Sequence, residues 1–394
     1  MDQPTCREVR KEARICHTQS LTRLPRWHLH YYRFISSSSS PGNMSLFDGD
    51  EMQRALLHQA EACLQLGSHM YHALFTDLAA DYADGGRTYA LLAGRSLRPL
   101  HDAVPLRLAG AIHRVVLQGK DDRLARHYPS MGGKPAEDFT ADFIGYMRDH
   151  LEDIERGLVT QVQTNEVGRS VVHLVISHWL KTLGVEEFSL LEIGASAGLN
   201  LNFDKFYGCY GPLRMGDPSS TLRFMGDWFT NAPDVPRVGA RVIYRRGCDI
   251  SPLDITKQED EDRLLSFVWP DQRVRLERLR AAISIAKSHR PIVDTASADD
   301  WIEQQLQRRS ENATVIFHSI VWQYLGTETQ NRLKNTIYEA AQSATTSAPI
   351  VWVRMEPAGA VADVQVDVFD GTSSEPRHFR LAEIGYHGQN MKWL

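Results

Sequence analysis

Apolar positions recur at three- and four-residue spacing from Ser45 to about Glu187, and then the period changes. DEMQRALLHQAEACLQLGSHMYHALFTDLAADYA keeps the helical spacing without a proline, and PLRLAGAIHRVVLQG and DFTADFIGYMRDHLEDIERGLV continue it between Pro and Gly breaks. VGRSVVHLVISHWLKTLG ends the series at Gly184, suited to a left-handed C-terminal cap. Short β-branched runs follow: FSLLEIG, ARVIYRRGCDI, RPIVDTA, ATVIFHSIV and APIVWVRMEP. Between them lie the helical stretches DEDRLLSFVWPDQRVRLERLRAAISIAKS and TETQNRLKNTIYEAAQSA. Alternation of this kind predicts parallel βαβ units with right-handed crossovers. DVQVDVFDG and RHFRLAEIGYHGQNMKWL close the chain as a predicted antiparallel hairpin on a mostly parallel sheet.

Residues 1–43 stand apart, with seven Arg or Lys against three acids and a closing ISSSSSPGN. They lack the periodicity of an amphipathic targeting helix and predict an unstructured extension, or translation upstream of a functional start at Met44. The expected organisation is therefore 1–43 as extension, 44–187 as a helical cap, and 188–394 as an α/β domain. A formal charge of −5 gives no reason to expect nucleic acid as a partner. No run approaches the roughly 18–20 apolar residues of a membrane helix. The five cysteines are scattered without a C-x-x-C pair, which argues against a zinc ribbon or a disulfide framework and predicts a reducing, cytoplasmic setting.

LLEIGASAGLN, residues 190–200, supports two kinds of chemistry. Gly194–Gly198 fit the G-x-S-x-G of a hydrolase elbow, with Ser196 as nucleophile and Asp294 with His318 or His387 as downstream partners. An elbow, however, is normally preceded by several strands, and here the preceding residues read as helix. The same stretch fits an acid-x-G-x-x-x-G cofactor loop. Glu192 would sit at a strand's carboxyl end, and Gly194 and Gly198 would let a ligand approach the backbone at the next helix's N-terminus. Asp249 in GCDIS and Asp294 in VDTAS place acids after the next two strands, where ligands of open α/β sheets bind. Helix capping is the plainer role for such acids.

The E-x-G-x-x-x-G loop, the two following acids and the terminal hairpin resemble the class I S-adenosylmethionine-dependent methyltransferase fold. More closely, the chain resembles the family catalogued as domain of unknown function 2332. That resemblance rests on VQTNEVGRS (162–170), LLEIGASAGLNLNFDKF (190–206), GDPSS (216–220), GCDISPLDIT (247–256), VWPDQRVRLERL (268–279) and FHSIVWQYL (317–325). It implies a helical N-terminal part on a methyltransferase-like (Rossmann-like) domain but supplies no reaction; from the class I likeness the expected cofactor is S-adenosylmethionine, in a site shaped by Glu192, Gly194, Ser196, Gly198, Asn200, Asp249 and Asp294. Two departures stand out. Ser196 replaces the loop's middle glycine, and Asp249 follows Glu192 by 57 positions where dinucleotide folds use about 20. The intervening residues read as an insertion over the site.

Methyl transfer to a small molecule needs a closed pocket that aligns the acceptor, and at most one base. QTNEVGRS offers Gln163, Thr164, Asn165, Glu166 and Arg169 at one junction, with Glu166 as base and Arg169 as anion clamp. Thr164 or Asn165 capping the next helix is the alternative. His318 is the second base candidate. Trp322 and Tyr324 suit either a substrate wall or core packing. Asp204 and Asp217 read as insertion-region and turn acids. His58, His69 and His72 lack a carboxylate partner at metal-binding spacing, so no metal is expected. The basic face of DQRVRLERLRAAISIAKSHR reads as a solvated helix surface.

Overall fold

The computed structural model describes residues 50–394 apart from position 310, so the 1–43 extension and Met44 lie outside the described residues. Along the chain come α1 Glu51–Gln65, α2 His69–Ala83, α3 Arg87–Leu92, α4 Val104–Leu117, α5 Asp122–Ala125, α6 Phe139–Asp149, α7 Leu151–Leu158 and α8 Ser170–Trp179. Strand β1 Glu187–Ile193 follows, then β2 Tyr207–Tyr210, β3 Leu213–Gly216, β4 Arg223–Phe224 and β5 Arg241–Asp249. Helices α9 Gln258–Ser266 and α10 Arg273–His289 lead to β6 Val293–Thr295, α11 Ala298–Gln307, β7 Ala313–Ser319 and α12 Thr327–Ala341. The chain closes on β8 Ile350–Ala358, β9 Val361–Phe369, β10 Arg377–Ile384 and β11 Lys392–Trp393. Among the described residues no helix is long and apolar enough to cross a membrane.

The chain divides into two compact units. One comprises 50–164 with Asp254–Arg280, and is helical. Its first two helices begin where small polar side chains satisfy orphan amides: Asp50 accepts from Met52 N at 2.8 Å, and Ser68 from Tyr71 N at 3.3 Å. The apolar stripes meet in a core that includes Leu56, Leu74, Phe75, Leu108, Phe143 and Trp269. Asp271 ties the late segment in, accepting from Ser68 Oγ at 2.6 Å and Met70 N at 3.1 Å.

The second unit, Asn165–Leu253 with Ala281–Leu394, holds a mixed eight-stranded sheet in the order β11-β10-β9-β8-β7-β1-β5-β6. Strands β6, β5, β1, β7 and β8 are parallel neighbours, and β8 through β11 continue antiparallel. The parallel part runs 3-2-1-4-5 in chain order, the doubly wound pattern whose switch point, between β1 and β7, opens a crevice at the carboxyl ends. Alternation decides which residues share a face. Glu192 pairs with Phe317 and Ile193 with His318. Leu191, Ile193, Cys248, Ile316 and Trp352 therefore pack on α11 and α12 in one core. On the opposite face, His173 of α8 lies 3.8 Å, centroid to centroid, from the Phe317 ring.

The crossover from β1 to β5 departs from the expected strand–loop–helix. A three-ten segment, Leu199–Lys205, follows the Gly-rich turn, and β2, β3 and β4 form a separate three-stranded sheet. Asn200 and Asn202 explain the shortfall. Asparagine is a poor helix former, and Asn202 at φ −93°, ψ 21° breaks the helical run.

Candidate functional site

After β1 the backbone takes three left-handed positions in five residues: Gly194 (φ 71°), Ser196 (φ 54°) and Gly198 (φ 71°). Glycine is required at the outer two for space as well as for angle. A Cβ on Gly194 would lie 2.7 Å from Val321 Cγ2, and one on Gly198 would lie 2.7 Å from Val293 Cγ2. Ser196 is the one residue of the three that carries a side chain in this strained region. Asp249 fixes it there. Its Oδ2 accepts from Ser196 N at 2.9 Å and its Oδ1 from Ser251 N at 2.9 Å, while the Ser196 carbonyl accepts from Leu253 N at 3.3 Å. The end of β5 is thereby locked to the turn after β1.

The QTNEVGR junction also packs against this turn through its last residues. Asn165 Oδ1 accepts from Leu199 N at 2.9 Å, and Asn200 Nδ2 donates to the Glu166 carbonyl at 3.2 Å. Glu166 is buried and caps the following turn, accepting from Gly168 N at 3.1 Å, so its carboxylate is engaged as a cap. Arg169 donates from Nε to the Tyr386 carbonyl at 3.1 Å and from Nη1 to the Ser319 carbonyl at 3.2 Å. It spans from the loop after β10 to the end of β7.

Beneath lies Glu192, buried, its carboxyl pushed up to about 8 by burial against the opposing pull of the Arg169 charge. Glu192 Oε2, Ser196 Oγ and Asn200 Oδ1 are buried and have no hydrogen-bond partner among the described residues; Asn202 Nδ2 is in the same condition. Buried polar groups in this state call for a ligand or a water. Asn200 Oδ1 only accepts, Asn202 Nδ2 only donates, and the Ser196 hydroxyl and the Glu192 carboxyl can do either, so the group can receive a ligand that carries hydrogen-bond donors. His173, also on this face, is held neutral by burial, which takes its imidazole down to about 3.

His318 sits on the other face of the sheet. Its Nδ1 lies 2.6 Å from Glu356 Oε1, and its ring stacks on Trp322 at 5.3 Å and 19°. Glu356 Oε1 also accepts from Val321 N at 3.2 Å and Trp322 N at 3.3 Å. The two candidate bases, Glu166 and His318, thus belong to separate clusters. Asp294 shares the His318 face and is committed to structure. Arg246 Nε and Nη2 reach its two oxygens at 2.6 and 2.8 Å, Trp301 Nε1 donates at 2.7 Å, and these charge-assisted bonds hold its carboxyl below its ordinary range.

The remaining candidates have local roles. Asp204 pairs with Arg245, and Asp217 closes a turn by accepting from Ser219 N at 2.8 Å. Tyr324 is exposed. His72 Nδ1 is 3.1 Å from the Ala60 carbonyl. His127, Asp138 and Asp142 form a grouping of metal-ligand type, but Arg126 Nη2 bonds both acids, at 2.5 and 2.7 Å, and supplies the positive charge itself. Sequence reading missed Glu356, whose only signal was an acid at the end of the fifth parallel strand. It also missed His173, whose place in an apolar helix carries no signal of its own.

Fold and site together define an α/β protein of doubly wound type with a group of buried polar side chains at the carboxyl end of β1, beside the switch point of its parallel strands. The chain belongs to the family described as uncharacterized protein conserved in bacteria (DUF2332), whose model matches residues 53–393. No curated protein and no solved structure matches it.

Proposed function

We propose that this chain binds S-adenosylmethionine at the turn after β1 and transfers its methyl group to a small-molecule acceptor. The observation that carries the reading is the set of buried, unpartnered polar atoms at the end of β1 and on the turn after it, Glu192 Oε2, Ser196 Oγ and Asn200 Oδ1, each able to accept a hydrogen bond, beside the Asp249 carboxylate. Such a set selects a ligand rich in donors, and S-adenosylmethionine brings an ammonium and two ribose hydroxyls. Glu192 and Asn200 would take the ammonium, and Asp249 the ribose, since each of its oxygens accepts one backbone bond and has capacity for another. The bound group supplies an electrophilic methyl; the chain's part is to exclude water and align the acceptor. Asp294 is left out of the cofactor site because its oxygens are already engaged by Arg246 and Trp301.

Titration calorimetry with S-adenosylmethionine and S-adenosylhomocysteine tests the reading. Binding of either is expected, with Asp249→Ala weakening it about tenfold, or about 1.4 kcal/mol. No heat from either ligand at millimolar concentration would overturn it.

One observation favours a second reading, a serine hydrolase. Ser196 holds a strained left-handed conformation, as an elbow nucleophile does, although no histidine partners its Oγ among the described residues. The three-ten segment after the turn is not the α-helix of an elbow. Fluorophosphonate labelling that disappears in Ser196→Ala would establish this reading in place of the first.

A further inference from the structure

The cluster around His318 lies on the sheet face opposite Glu192, and no role in cofactor binding accounts for it. Three of its polar atoms are buried without a hydrogen-bond partner among the described residues: His318 Nε2, Glu356 Oε2 and Trp352 Nε1. His318 is fully buried, pressed by the Trp322 ring, with the Trp352 ring 6.0 Å away. The Trp322 segment is reached through Ile320, a β-branched residue at φ 50° whose amide donates to the Met355 carbonyl at 2.9 Å. A β-branched residue in that region is a true outlier, and such strain gathers at ligand clamps and active sites.

We infer that His318 and Glu356 form a proton-accepting site, with His318 Nε2 as the base for a ligand bearing an ionisable O–H or N–H, and Glu356 as the residue that positions it. The geometry fixes the tautomer. Glu356 Oε1 already accepts from two backbone amides, so it meets Nδ1 as an acceptor, Nδ1 carries the proton, and Nε2 presents its lone pair. In the transfer the ligand's X–H bond breaks, its electron pair stays on X, and the proton joins Nε2. The imidazolium so formed is balanced by the Glu356 carboxylate. Other charges near the ring are spoken for. Arg354, the register neighbour of His318 on β8, lies over Trp352 and is paired with Asp367; Lys334 of α12 lies over Trp322; and Arg169 reaches the Ser319 carbonyl on the β7 side. None of these cations is bonded to a ring nitrogen of His318. The inference stands on this cluster alone and does not require S-adenosylmethionine to bind.

Nitrogen-15 spectra of the full chain labelled at histidine, recorded at alkaline pH and assigned by His318→Gln, decide it. Expected for the wild type are a protonated Nδ1, an unprotonated Nε2, and an Nδ1–H proton far downfield from its bond to a carboxylate. Glu356→Gln retains an acceptor oxygen but loses the charge, so that proton moves upfield while the tautomer is kept. Glu356→Leu shifts the ring toward the Nε2–H form. A merely structural Glu356 would leave the tautomer ratio unchanged in Glu356→Leu, and that result overturns the inference. So does a protonated Nε2 in the wild type. If Glu356→Leu does not fold, the wild-type spectrum and the Glu356→Gln proton shift decide. Calorimetry with S-adenosylmethionine is independent of these spectra, so failure of one reading leaves the other measurable.

Discussion

Glu192 is the residue of the candidate site whose carboxyl the fold alters strongly. Its carboxyl is raised from an ordinary 4.5 to about 8, burial being the larger cause and the Arg169 charge opposing it. Between those values the folded chain keeps a proton that the unfolded chain releases. Stability is therefore lost as pH rises through this window, and the loss is complete above about 8. Glu192→Gln removes the titration. In the ligand-free protein, thermal melts are expected to show variant and wild type close together at pH 5. At pH 8.5 the variant should lead by a few kcal/mol, since each tenfold change in proton affinity is worth about 1.4 kcal/mol. Equal melting temperatures at both pH values would mean that the carboxyl is not desolvated. A cationic ligand acts in the opposite sense: it favours the carboxylate, so its binding expels the proton.

At the scale of elements, the turn after β1 depends on glycines that cannot be replaced cheaply. Gly198→Ala places a Cβ 2.7 Å from Val293 Cγ2 at φ 71°. By contrast, Gly67→Ala, at φ 86°, meets nothing within 4 Å. Urea unfolding is expected to show about 1 kcal/mol lost at Gly67, from backbone strain alone, and about 2–3 kcal/mol at Gly198, where overpacking adds to it. Equal losses would mean that β6 gives way freely. Much at this scale was legible in the sequence. The change from helical to strand period after Glu187, the run of β-branched segments and the Gly184 cap follow from local chemistry, and Gly184 does take φ 76°. Pairing across the sheet was not legible. That Glu192 sits opposite Phe317, and Ile193 opposite His318, depends on a register between strands about 125 residues apart. Which face of the sheet His318 takes, opposite to that of Glu192, is therefore set by pairing that no local pattern shows. Asp294 resembled a cofactor acid because the Arg246 that engages it lies 48 positions earlier, and nothing in VDTAS marks that pairing. Glu356 went unread because an acid before a proline at a strand end has no spacing of its own.

For the whole molecule, the sheet order places β1 in the interior, with parallel partners β5 and β7 on its two sides. Its amides open only when the sheet opens, whereas two-residue β11 has a single partner, β10, among the described strands. Hydrogen exchange is expected to be slowest at Leu190–Ile193 and fastest, within the sheet, at Lys392 and Trp393. Exchange at Leu190–Ile193 as rapid as at β11 would mean that the sheet opens at β1 first. Glu192 thus belongs to an interior strand paired on both sides, and the turn that carries Ser196 and Asn200 springs from it. A ligand there meets a template ordered before it arrives, and little of its binding energy goes into arranging the protein. Such a template recognises by shape and complementarity, with association limited by entry and residence time set by how well the ligand's donors answer the waiting acceptors.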